Sequence, residues 1–142
     1  MKIKQVVVGT MLALVGGVAG AGLYQPVPLE INLDTQTAQG DMYSARLSGN
    51  PNAYIGCGIR SPVPGYTIAF CQVNLGPLPG DGSAPEAVLC FTEDAAHIAT
   101  VAAMDDFSYI VFRWDVDGNC TSVGNSTQSF YLPEFYKSDK QK

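Results

Sequence analysis

The side chains of this 142-residue chain whose chemistry extends beyond packing are four cysteines, one histidine and thirteen carboxylates. Asp115-Val116-Asp117-Gly118-Asn119 has the one-three-five spacing of a calcium loop. It departs from an EF-hand at two points: its glycine stands fourth where the sixth position needs one, and Ser126 occupies the twelfth position, where a bidentate Glu belongs. A tight hairpin turn accounts for Asp117-Gly118 by itself, and the turn is the reading adopted. His97 stands alone, at the edge of a helical apolar stripe beside Val101 and Met104. A metal centre needs several partners, and a histidine-activated nucleophile needs an orienting carboxylate with a local signature; neither is present, so His97 reads as a packed or surface residue. No metal, cofactor or catalytic residue is expected.

Paired carboxylates occur at Glu93-Asp94, Asp105-Asp106 and Asp115/Asp117. Adjacent acids commonly serve caps and turns, whereas glycoside hydrolysis needs two acids at a set separation across a cleft. A cleft gathering Asp105, Asp106 and Asp115 would mark a hydrolase. A flat aromatic patch near Phe135 would mark a binding protein, and Phe135 with Tyr136, beyond Pro133, are the candidate surface contact. Asn119-Cys120-Thr121 and Asn125-Ser126-Thr127 fit the glycosylation pattern of a eukaryotic pathway, but the leader is bacterial in character and the matches read as chance.

Lys2 and Lys4, the apolar run Val6 to Val18 and Ala19-Gly20-Ala21 form a secretory signal peptide over residues 1–21. That run is too short and glycine-rich for a stable membrane span. The expected mature domain is 22–136, followed by a flexible polar tail, 137–142. Six basic against thirteen acidic residues give the mature part a net charge of −7. So acidic a body cannot collect phosphates, which excludes nucleic acid and anionic membrane surfaces as partners. Export also makes Cys57, Cys71, Cys90 and Cys120, all in the mature part and even in number, readable as two disulfides.

Leu29 to Leu33 alternates as a half-buried strand, Asp34 to Gln39 is polar and ends at Gly40, and Met42 to Leu47 fits either a short strand or a helical turn. Tyr54 to Arg60 and Tyr66 to Leu75, separated by Ser61-Pro62-Val63-Pro64-Gly65, form a hairpin. Symmetry about Pro64 sets Cys57 against Cys71 and Ile59 against Ala69, offering a cross-strand disulfide, although two loop prolines allow a one-residue slip. Cys90–Cys120 then follows by elimination. Ala87 to Thr92 is a third strand, after a Gly/Pro-rich loop, 76–85, that reads equally as lid, binding edge or spacer.

Thr92 reads as an N-cap, with Glu93 and Asp94 in the first turn of a helix that runs to Met104 and carries the stripe Ala95, Ile98, Val101 and Ala102. Ser108 to Val116 is the strongest strand, with Ile110, Phe112 and Trp114 on one side. Pairing outward from Asp117-Gly118 as a two-residue turn sets Trp114 against Thr121, Phe112 against Val123 and Cys120 against Asp115. That makes Trp114 a core anchor. Gln128 to Leu132 reads as a last strand, with one of Phe130 and Tyr131 buried.

The segments Tyr54 to Arg60, Phe70-Cys71-Gln72, Cys90-Phe91-Thr92, Tyr109 to Thr121 and Ser126 to Pro133 together resemble an uncharacterised family of small secreted bacterial proteins with four cysteines. The resemblance implies one framework of cysteines and the Trp114 hairpin, and it carries no site residue across. The expectation is an α+β fold in which five or six mainly antiparallel strands are braced by one short helix and two disulfides. The expected role is a secreted or periplasmic binding or structural protein without catalysis, its partner another protein or a cell-envelope component. A small cell-envelope hydrolase using acidic residues is the second reading.

Overall fold

A computed structural model describes residues 22–77 and 87–133. The expected signal peptide 1–21, most of the 76–85 loop, the expected surface pair Phe135 and Tyr136 and the expected tail 137–142 lie outside the described residues. Among those described, seven strands form two antiparallel sheets, and with one main helix and two disulfides they make an α+β fold. Strands β1 (Glu30–Asn32), β2 (Thr37–Asp41), β6 (Tyr109–Trp114) and β7 (Cys120–Ser126) lie in that order in one sheet. The second contains β3 (Tyr54–Val63), β4 (Tyr66–Asn74) and β5 (Ala87–Thr92). Helix α1 (Met42–Leu47) leads from β2 into β3, and α2 (Ala95–Ala102) from β5 into β6.

The extra strand over the expected count is β2, where the sequence reads only a polar stretch ending at Gly40. Its buried positions are Ala38, Gly40 and Asp41. Two small residues and an acid give no apolar alternation to detect. Small residues are nonetheless required there: a Cβ on Gly40 would stand 3.0 Å from the Leu29 Cα. Between β1 and β2 the chain turns at Gln36, whose φ of 50° is left-handed.

The β3–β4 hairpin has the register that its spacing dictates, with Cys57 opposite Cys71 and Ile59 opposite Ala69, and a bulge between Arg60 and Val63 absorbs the loop prolines. Cys71 also lies opposite Cys90 on β5, so three cysteines stand abreast across the sheet. Cys57 is bonded to Cys71, and Cys90 to Cys120 of β7, which ties one sheet to the other. These are the two pairs expected from register and elimination. The core joins Ala38, Ile110 and Phe112 of one sheet to Ile55, Ala69, Cys71 and Val73 of the other, with Ala45 and Val101 from the helices.

Other departures have local causes. The N-cap of α2 is Asp94, not Thr92, and the helix ends at Ala102 with Ala103 as its cap. Thr92 stays in β5, where its hydroxyl accepts from the Asp94 N–H at 3.1 Å. Of the expected stripe, Val101 is buried and Ile98 half-buried, while Ala95 and Ala102 are exposed, so the helix touches the core along a narrower line. The β6–β7 turn has three residues between Asp115 and Asn119, whose backbones bond at 3.0 Å, and Gly118 takes φ 81°. A type I turn followed by a left-handed residue makes such a three-residue loop. Trp114 therefore pairs with Cys120, not Thr121, and Cys120 does not face Asp115; the shift is absorbed before Arg113 pairs with Ser122, leaving Phe112 against Val123 as spacing requires.

Trp114 is half-buried against Phe112, ring centroids 5.9 Å apart, so it flanks the core and does not anchor it. The last expected strand, Gln128 to Leu132, is a 3-10 turn over Ser129–Tyr131. β6 begins at Tyr109, opposite Ser126, so the chain beyond Ser126 has no β6 residue left to pair with, and the Phe130 carbonyl accepts from the Gln25 N–H at 3.0 Å. There Tyr131 is buried, stacked on Tyr109 at 5.7 Å, and Phe130 is half-buried.

Candidate functional site

A groove runs along β3, and its opposite wall depends on Asp41. This residue is 1% exposed and caps α1. Its Oδ1 accepts from the Ser44 N–H at 2.6 Å; its Oδ2 accepts from the Ser44 hydroxyl at 2.7 Å and from the Val27 N–H at 2.6 Å. The Asp41 N–H donates back to the Val27 carbonyl at 2.9 Å, and the Met42 N–H donates to the Ser108 carbonyl at 3.1 Å. These five bonds fix α1 between the N-terminal segment and the loop before β6. Ser108, itself fully buried, closes that loop by donating its N–H to the Asp105 carbonyl at 3.1 Å and accepting the Asp105 N–H on its hydroxyl at 2.8 Å.

Two hollows result. The first, of about 350 Å³, lies among Met42, Tyr43, Ala45 and Arg46 of α1, Ala53, Tyr54 and Ile55 at the start of β3, and Asp106 and Phe107. The Tyr43 and Phe107 rings meet edge to face with centroids 6.1 Å apart, and Tyr54 is exposed. The second, of about 280 Å³, lies between Cys57, Gly58 and Ile59 of β3 and Val101, Met104, Asp105, Asp106 and Ile110. Met42 and Asp106 border both, so the hollows are two ends of one groove. Pockets near 300 Å³ with apolar walls and a few polar groups are the form that small ligands and anchoring side chains occupy.

The acids expected as alternatives for catalysis are dispersed. Asp105 and Asp106 border the groove as neighbours on one wall. Asp115 lies past the other end of β6 and belongs to its own turn: Oδ1 accepts from the N–H groups of Asp117 at 3.0 Å and Asn119 at 2.8 Å, and Oδ2 from Asn119 Nδ2 at 2.9 Å. The Asn119 side chain above all, then the backbone donors, holds this carboxyl below its ordinary value of 3.8. The aspartate at the head of the calcium-like spacing is thus engaged by the hairpin itself.

Asp94 accepts from the Ala96 N–H at 2.8 Å and the His97 N–H at 3.0 Å, and the His97 bond chiefly draws its carboxyl below 3.8. Glu93 accepts from the Tyr66 hydroxyl at 2.8 Å, a bond that raises Tyr66 above 10.0. His97 is half-buried, its Nδ1 3.1 Å from the Thr92 hydroxyl, at the cap of α2 and outside the groove lining. Among the described residues, no group of three or more His, Cys, Asp or Glu is placed to hold a metal ion, and no helix is long and apolar enough to cross a membrane.

Sequence reasoning missed the groove residues Met42, Tyr43, Arg46, Tyr54 and Phe107, and it missed Asp41. Only Asp41 carried a local signal, an acid placed three residues before Ser44 at the head of a helical turn. No known protein family, curated protein or solved structure matches the chain. The roles of these residues therefore rest on their geometry.

Proposed function

We propose that the protein is a secreted or periplasmic binding protein without catalytic activity, which holds side chains of a partner protein or cell-envelope component in the β3 groove. The observation that carries this reading is the first hollow, where Tyr43, Tyr54 and Phe107 present aromatic surface around a space of about 350 Å³ with one cation, Arg46, and one carboxylate, Asp106, in its lining. Aromatic rings supply large contact area at low entropic cost, and Arg adds orientation. The export reading is supported by the basic and apolar leader sequence, and two disulfides fit an oxidising extracellular or periplasmic compartment.

Hydrolysis is the weaker reading, because Asp105 and Asp106 share a wall and the β3 wall facing them contributes no carboxylate to either hollow. Acid catalysis by a carboxylate pair needs one group on each side of the scissile bond. The test is retention of envelope components on immobilised protein, compared between the natural sequence, Phe107→Ala and Arg113→Ala, a surface control. Binding lost in Phe107→Ala alone supports the proposal. Equal retention by all three, or turnover of an envelope glycan abolished by Asp106→Asn, overturns it.

A further inference from the structure

One side of β3 pairs with β4, and the other side borders the groove. In an antiparallel pair, opposite residues alternate between those that exchange backbone hydrogen bonds, about 5.5 Å apart at Cα, and those that do not, about 4.5 Å apart. Cys57 and Cys71 are 4.0 Å apart at Cα, which makes them a pair of the second kind. The N–H and C=O of Cys57 therefore point away from β4. By the two-residue period of a strand, so do those of Ile55 and Ile59.

These residues border the two hollows, and among the described residues β3 pairs with no strand but β4. Among the described residues, no backbone hydrogen bond from another element reaches Ile55, Cys57 or Ile59. The bulge and Pro62 follow this stretch, so the regular open edge runs from Tyr54 to Arg60. An unpaired strand edge is a template for another extended chain.

Resting on the binding reading, we infer that the occupant of the groove is an extended segment of a partner protein, added as a strand along β3. Its backbone would bond Ile55, Cys57 and Ile59. One of its apolar or aromatic side chains would enter the first hollow. A basic side chain would reach the second, where Asp105 and Asp106 stand and no Lys or Arg contributes. A polysaccharide or lipid has no regular row of amides to meet this edge, whereas a peptide strand satisfies both the edge and the hollows. Main-chain bonds would supply the affinity and the hollows the specificity.

The experiment selects binders from a displayed library of random linear peptides and follows the backbone amides of the full mature protein by NMR hydrogen exchange. The expected result is enrichment of sequences with an aromatic or apolar residue and a Lys or Arg, slowed exchange at Ile55, Cys57 and Ile59, and at least about tenfold weaker binding when the edge-facing peptide nitrogens are methylated. Ile59→Pro removes one outward donor without touching the ladder to β4, so it should weaken binding while far-UV circular dichroism and both disulfides are retained.

Peptides that shift Tyr43 and Phe107 but leave the three edge amides unprotected, or that tolerate methylation, overturn strand addition and leave the binding reading standing. No enrichment, or binding elsewhere on the surface, overturns strand addition, and the binding reading then stands or falls on the envelope-retention test. Protection that grows with protein concentration without peptide, together with dimers in the ultracentrifuge, replaces the partner segment by a second copy of this chain and overturns the inference.

Discussion

Replacing Asp41 by Ala should destabilise the protein more than any other single carboxylate substitution among those described. The side chain is 1% exposed and accepts three hydrogen bonds, from the Val27 N–H and from the N–H and hydroxyl of Ser44. Bonds to a charged group contribute about 1.5–3 kcal/mol each. Their simple sum is an upper bound, since Ala also removes the desolvation cost of the carboxylate. Loss of an N-cap alone costs about 1 kcal/mol, and here the Val27 tie is lost with it, so the expected total is about 3–5 kcal/mol. For a domain of this size about 1 kcal/mol moves the melting temperature by about 4 °C, giving a fall of about 12–20 °C. Asp41→Asn keeps an acceptor for the cap and should cost about half as much. Thermal unfolding by circular dichroism reads both values, and hydrogen exchange at Val27 and Ser44 locates the loss. A fall below about 4 °C for Asp41→Ala would refute the assignment of Asp41 as the pin of α1.

Removing Cys90 and Cys120 together should cost about 3.6 kcal/mol, and removing Cys57 and Cys71 about 3.0, from chain separations of 30 and 14; guanidinium unfolding should rank them in that order. Asn119→Ala should raise the Asp115 titration toward 3.8, read by carbon-detected NMR. Because Asp94 and Asp115 both lie below 3.8 when folded, their stabilising contribution is complete above that value and is lost as pH falls through the depressed folded values. Restoring stability by lowering the pH through this window would contradict the sign. Trp114→Ala should cost about 2 kcal/mol, near half the figure for a fully buried aromatic, and the native emission maximum should lie between those of buried and water-exposed indole.

Where the chain's information is local, it is legible. The Cys57–Cys71 register follows from the positions of Pro64 and Gly65 between two β-rich runs, and the other disulfide from what remains. Turn length at Asp117-Gly118 was only partly legible: type I and primed turns share these residues, and the choice between them moved Trp114 opposite Cys120. β2 was hidden because its inward positions are Ala38 and Gly40. The groove was hidden for another reason. Tyr43, Tyr54 and Phe107 come from three separate stretches, and none has a spacing that refers to the others; they meet only because Asp41 and Ser108 fix two loops against each other.

The row of Cys57, Cys71 and Cys90 has a consequence for how the protein must mature. Cys71 has a potential oxidation partner on each side, and the two choices are not equivalent. Closing Cys57–Cys71 leaves Cys90 available to reach Cys120 on the other sheet. Closing Cys71–Cys90 first would staple β4 to β5 and leave Cys57 and Cys120 as free thiols on strands that the fold keeps in different sheets. That isomer holds its own remedy. Cys57 stands opposite Cys71, so its thiolate can attack the Cys71 sulfur, form Cys57–Cys71 and release Cys90 as a thiolate. Three sulfurs abreast thus let a misplaced bond shift by one strand without an external thiol; the shift consumes no oxidant, and one oxidation is spent on the first bond in the row and one on the closure between the sheets.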